Sequence, residues 1–185
     1  MTHGETQLLG RRELENTVLQ LLRLGRSVML VGPSGVGKTA LIQAISPPEV
    51  FVVDPFERIG SRRAAHIRRS MDRNGVWIAA ARARERLGHV GRIAWRFEVV
   101  RVPPLSVYWM RRLISRSAAR AGLEDAITAD WLRDVVRLSA GLPGRAVDLV
   151  NRAALTRARG RPLTAPATLY LDAAIPRDSP TPPRR

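Results

Sequence analysis

Cysteine is absent from this 185-residue sequence, which excludes disulfides and thiolate metal sites. Lysine is nearly absent too: of 31 basic residues 30 are arginine, and the single lysine is Lys38. Acids are about half as numerous as bases, 16 against 31, leaving a net charge of +15. A bias toward arginine accounts for the choice of cation but not for the excess of charge, which predicts attraction to a polyanion. No run approaches the roughly 18 uncharged apolar residues that a membrane span requires. The opening "MTHGETQLLGRRELEN" lacks the apolar core of a secretion signal. A cytoplasmic chain with no membrane partner is the expectation. Aromatics are only 5% of residues, and no helix-turn-helix, zinc-finger or aromatic RNA-binding signature is visible, so base-specific reading is not expected. His66 and His89 stand far apart without a third ligand, which argues against a metal site built on histidine.

What the sequence does contain is a hydrophobic fraction of 45%, enough for a core, arranged in two styles. From Arg12 to Leu24, Leu14, Val18, Leu21 and Leu22 recur at helical spacing. "SVMLVG" reads as a buried strand and "KTALIQAI" as a helix stopped by Pro47-Pro48. "EVFVVD" (49–54) reads as a second strand, apolar on both faces like a central parallel strand. A basic helix over 61–74 follows, then strands at 76–81 and 97–102. This alternation predicts an α/β fold, a parallel sheet covered on both faces. After Pro103-Pro104 only helices are expected, near 106–121, 128–139, 143–158 and 165–174. The organisation expected is a core at 8–104, a small all-helical lid at 105–174, and a basic, proline-rich, disordered tail at 175–185. The four tryptophans, Trp77, Trp95, Trp109 and Trp131, are expected to anchor core and lid.

Lys38 stands in the one motif that explains its retention. Gly32-Pro33-Ser34-Gly35-Val36-Gly37-Lys38-Thr39 matches G-x-x-x-x-G-K-[ST] between a predicted strand and a predicted helix. The glycines let successive backbone N–H groups wrap a phosphate, and the helix N-terminus favours the anion. A slim ammonium fits inside such a loop, where a planar, forked guanidinium does not. A nucleotide is therefore the expected ligand, with Lys38 on its β- and γ-phosphates and Thr39 on a magnesium ion. Asp54, at the end of an apolar strand, is placed to be the second carboxylate-side holder of magnesium. A water-orienting acid usually stands beside that Asp, but position 55 is Pro. Glu57 is the nearest acid and reaches the site only if the strand end curls into a turn. The pattern supports binding more strongly than turnover. Only about 15 residues separate Lys38 from Asp54, too few for an added strand and helix. Either the sheet lacks an edge strand, or Asp54 ends a different strand and is not the magnesium-side acid.

The order of motifs resembles AAA+ and related STAND ATPases, especially origin-recognition initiators and the ATPases that accompany transposases. The resemblance runs over roughly 8–174 and starts with "LLGRRELENTVLQLLRLGRSVMLVGPSGVGKTAL". It implies that Leu9, Gly10 and Arg11 pack near the adenine. "GVWIAAARARERL" is similar to the sensor-1 strand, which in the family ends in a small polar residue; here it ends in Ala80, Ala81 and Arg82. "GRIAWRFEVVRVPPLS" resembles the arginine-finger segment, with Arg92 and Arg96 as candidates, and "LSAGLPGRAVDLVNRA" the lid helix carrying the sensor-2 arginine, which maps to Arg145. The departures, Pro55, the missing polar sensor-1 residue and the short spacing, all fall on hydrolysis. What the resemblance implies is an ATP-dependent switch that forms a homo-oligomer and works with a transposase or other protein partner, with hydrolysis left open. A nucleotide-binding scaffold without turnover is the alternative. A small P-loop kinase is a third, which the helical lid and the Gly-Leu-Pro-Gly-Arg segment argue against.

The charge points to DNA as a further partner. Arg62, Arg69 and Arg73 fall near one helical face, a stripe suited to contacting phosphates without reading sequence. A merely solvated helix face is the plainer reading, with some arginines paired to Glu57, Asp72 and Glu85.

Overall fold

The computed structural model describes residues 8–45, 47–82, 90–163 and 165–174. Four parallel strands, β1 (Val28–Val31), β2 (Phe51–Val53), β3 (Trp77–Ala81) and β4 (Glu98–Arg101), form one sheet in the order β2-β3-β1-β4. Val28 pairs with Ile78 on one side and Glu98 on the other, and Phe51 pairs with Trp77. Parallel neighbours need crossovers, and the helices between the strands supply them.

The period of two along the strands sorts their side chains onto two cores. Met29, Val53, Trp77, Ala79 and Ala81 face α3 (Ser61–Met71) and α4 (Gly91–Ala94), which add Ile67, Ile93 and Ala94. Val28, Leu30, Ile78 and Ala80 face the other way, onto α1 (Arg12–Arg23) and α2 (Lys38–Ile45), which add Val18, Leu22, Leu41, Ile42 and Ile45. Each large apolar side chain so buried contributes about 1.5–3 kcal/mol.

A third core belongs to helices alone. α5 (Val107–Arg120), α6 (Ala129–Ser139), α7 (Pro143–Ala158) and α8 (Pro166–Ala174) enclose Met110, Ile114, Trp131, Val135, Leu149 and Val150. Thr128 caps α6 by accepting the Trp131 N–H at 3.1 Å, the kind of bond worth about 1 kcal/mol. Pro143 opens α7, where its missing N–H costs nothing.

Three expectations need correcting. β2 is not a central strand: it is the edge strand, with Phe51 50% and Val52 40% exposed, and Phe51 stacks on Trp77 at 4.8 Å. An apolar run reads the same whether a neighbour strand covers it or not. The basic helix stops at Met71 rather than running to 74, because Asn74 takes a left-handed φ of 64° and the Gly75 N–H turns back to the Ser70 carbonyl. Trp95 anchors nothing: it is 67% exposed, whereas Trp77 and Trp131 are buried and Trp109 is half-buried. The expected tail, along with Arg84, Glu85, Arg86 and His89, lies outside the described residues. Among the described residues no helix is long and apolar enough to cross a membrane.

Candidate functional site

The carboxyl ends of β1, β3 and β2 deliver Gly32, Arg82 and Asp54 to the same edge of the sheet, where ligands of open α/β folds bind. The loop from Gly32 to Thr39 begins there. Its Gly32 N–H bonds the Ala81 carbonyl at 3.3 Å, and Val36, fully buried, pins the loop's middle into the core. Gly35 and Gly37 take φ of 80° and 100°, left-handed values that side chains resist. Lys38 then opens α2 and folds back so that Nζ donates to the Gly32 carbonyl at 2.7 Å and the Pro33 carbonyl at 3.0 Å. Burial pushes the Lys38 pKa below the ordinary lysine value; Glu57 and Asp54 pull it up, and Arg82 pushes it down.

Thr39 and Asp54 meet directly. The Thr39 hydroxyl donates to Asp54 Oδ2 at 2.5 Å, although 15 positions separate them. Among the described residues the sheet has no strand beyond β2. A hydroxyl and a carboxylate are hard oxygen donors, which suits magnesium held jointly with phosphates and water. No cluster of three or more histidines and acids that could hold a metal by itself occurs among the described residues.

Glu57 joins them because the chain does curl after β2. Phe56–Arg58 form a single 3₁₀ turn, with Phe56 fully buried edge-on against Phe97 at 5.4 Å. That anchor turns Glu57 toward the loop, where its carboxylate accepts the backbone N–H of Arg82. The end of β3 therefore offers an amide and a guanidinium here, and no small polar side chain.

These groups line a cavity of about 600 Å³, within the range of small-molecule sites. Lys38, Thr39, Asp54, Glu57, Arg58 and Arg82 hold its polar end; Leu8, Leu9, Leu105, Leu113, Pro143 and Val147 make the other end apolar. Arg11 lines it as well, only 7% exposed, with Nη2 donating to the Val36 carbonyl at 3.1 Å. Gly10 is needed beside it: a Cβ there would lie 2.5 Å from the Trp109 ring. From the helical part, Gly144 reaches the loop, its N–H bonding the Gly35 carbonyl at 2.8 Å.

The structure thus brings together Leu9, Arg11, the residues Ser34, Gly35, Val36, Gly37, Lys38 and Thr39, Asp54 and Glu57. Gly32 and Pro33 contribute as acceptors for Lys38, and Gly10 packs behind. It does not bring in Arg145, which is exposed on α7 with only its backbone nitrogen facing Gly35, nor Arg92, exposed on α4. Arg96 is ion-paired to Asp72 at the end of α3. Arg62, Arg69 and Arg73 are exposed, clear of the cavity. Arg58, Arg82, Gly144 and the apolar wall apart from Leu9 were missed as site residues. Only Arg82 had a usable signal, its place directly after the third strand.

No protein-family model matches this chain, and no curated protein does. Solved structures do. A RuvB variant from Thermotoga maritima superposes with a TM-score of 0.61 at 16% identity, over 91% of this chain and 68% of that one. Hsp104 from S. cerevisiae, in complex with casein, gives 0.65 at 16% identity over 85% of this chain and 40% of that one. PCH-2 from C. elegans gives 0.59 at 15% identity over 88% and 68%. What these structures share with this chain is the fold, an α/β core on a parallel sheet of the AAA+ P-loop NTPase type. The chain spans about two thirds of the RuvB and PCH-2 chains and two fifths of Hsp104.

Proposed function

We propose that this chain binds ATP with magnesium in the cavity and hydrolyses it slowly, as a nucleotide-dependent switch. The observation that carries the reading is the meeting of Thr39, at the end of the phosphate-type loop and beside Lys38, with Asp54, which follows β2. Lys38 exchanges its two loop carbonyls for phosphate oxygens. Thr39 and Asp54 would hold the magnesium, which would supply neutralisation of phosphate charge. Glu57 orients a water toward the outermost phosphate, and the apolar wall from Leu8 to Val147 receives the base. Arg82 and Arg58 add positive charge at the phosphate end.

One observation favours a second reading, a scaffold that holds ATP without turning it over. The Glu57 carboxylate is already engaged by the Arg82 amide, and no small polar side chain stands at the end of β3. Phosphate release by the purified chain, with and without double-stranded DNA, separates the two. Measurable, DNA-stimulated release supports the switch. Tight ATP binding without release in either condition leaves the scaffold.

The surroundings proposed for this switch are a homo-oligomer on DNA in the cytoplasm, acting with a transposase or a replication protein. Supporting this are the net charge of +15, the exposed Arg62 and Arg69 on α3 with Arg73 in the turn that follows it, and the oligomeric habit of the fold neighbours. In such an assembly Arg92, and Arg96 once released from Asp72, would serve the neighbouring subunit's nucleotide, and Arg145 would act from the lid. Domain limits at 8–104 and 105–174 go with this proposal.

A further inference from the structure

Arg11 sits where a charge is costly. On α1 and its cap, positions 11, 15, 18 and 22 share one face; Val18 and Leu22 are buried there, and Arg11 is 7% exposed. A buried guanidinium ordinarily finds a carboxylate, because an unpaired charge in a protein interior costs several kcal/mol. Among the described residues Arg11 has no ion pair. Glu15, one turn along the same face, leaves its own Oε1 buried and unbonded instead of pairing with it. Burial lowers the Arg11 pKa, with no carboxylate opposing the shift. Among the described residues its guanidinium bonds the Val36 carbonyl, in the middle of the phosphate loop, and it faces the cavity.

The neighbouring carbonyl is held from the other side. Gly144 of α7 donates to Gly35 at 2.8 Å, and Arg11 to Val36 at 3.1 Å. Two successive loop carbonyls are thereby each tied to an element outside the loop, and the Val36 N–H between them bonds the Pro33 carbonyl at 3.4 Å.

We infer that Arg11 is a positioning residue of the phosphate loop, and that its buried charge is compensated by the bound nucleotide rather than by an acid among the described residues. This rests on the ATP reading of the cavity. Its signature is a split between stability and affinity. Removing the charge relieves the unliganded protein of an unpaired cation but deprives the ligand of one. A residue needed only for folding would lower stability and leave intrinsic affinity alone.

The test compares the full chain with Arg11→Met and Arg11→Lys, reading MgATP and MgADP affinity by calorimetry and the melting temperature without nucleotide. Arg11→Met is expected to melt at or above the unsubstituted protein and to bind at least tenfold more weakly. Arg11→Lys, which keeps the charge and one donor, is expected to recover part of that loss. Unchanged affinity in Arg11→Met, or a melting temperature several degrees lower, would overturn the inference. Equal weakness of the Met and Lys variants would overturn the charge assignment. If the unsubstituted chain binds neither nucleotide, the ATP reading itself fails, a result distinct from failure of the variants alone.

Discussion

Gly144 gives the sharpest handle on how the helical part grips the loop. An alanine Cβ at 144 would lie 3.0 Å from the Gly35 Cα and 3.1 Å from its carbonyl oxygen. Both atoms are backbone, so no flexible side chain can swing aside. Restoring ordinary separation requires α7 and the loop to part by about 0.4 Å, which stretches the 2.8 Å Gly144–Gly35 hydrogen bond. Against that strain stands the intrinsic helical preference for alanine over glycine, about 1 kcal/mol. The two effects oppose each other in stability, so the melting temperature should move by no more than the ~2–4 °C that 1 kcal/mol produces in a chain of this size. They do not oppose each other in binding. Weakening a hydrogen bond of about 1–1.5 kcal/mol that shapes the loop should weaken MgATP roughly five- to tenfold. Gly91→Ala, where no atom of the described residues lies within 4 Å of the new Cβ, is the control and should leave affinity unchanged. Calorimetric titration of both variants decides the matter. Wild-type affinity in Gly144→Ala would refute the view that α7 holds the loop in its binding shape.

Glu57→Gln keeps an oxygen to accept the Arg82 N–H, so it should fold and bind ATP normally while phosphate release drops at least tenfold; an unchanged rate would remove Glu57 from the chemistry. Lys38 sets a pH dependence. Its folded pKa lies below the ordinary value, so in the free protein its charge subtracts from stability at neutral pH, and the penalty fades as pH rises from the folded to the unfolded value. A phosphate favours the ammonium and reverses the sign: affinity should be full below the free-protein pKa and fall as pH rises through that lowered value toward the ordinary lysine range. Affinity that stays flat into the ordinary lysine range would contradict this. Replacing Arg62, Arg69 and Arg73 together by Gln should weaken binding to duplex DNA equally across sequences. The salt slope should fall by about 2–3, at roughly 0.9 for each phosphate that an arginine neutralises. An unaltered slope would place the DNA surface elsewhere.

Local pattern carried most of the fold. The helix at 143–158 falls where its apolar spacing and its opening Pro143 put it, and the strands at 28–31 and 77–81 fall within their predicted runs. The loop from Gly32 to Thr39 was legible because each fixed position has a local chemical reason. Glu57 was legible only conditionally, since its arrival depends on Phe56 finding Phe97, 41 positions away. Edge and centre could not be told apart for Phe51–Val53, because what distinguishes them is the neighbour, not the run. The grips of Arg11 on Val36 and of Gly144 on Gly35 end on backbone carbonyls across 25 and 109 positions, and no spacing rule encodes them. Arg145 illustrates the converse: its place in the sequence suggested a reach toward the ligand, yet it is Gly144 that touches the loop.

The central claim is that Lys38 and the loop around it hold a nucleotide triphosphate. Calorimetric titration of MgATP into the full chain and into Lys38→Ala tests it most directly. Saturable one-site binding by the chain and none by the variant is the predicted result; binding by neither, or equal binding by both, would contradict it.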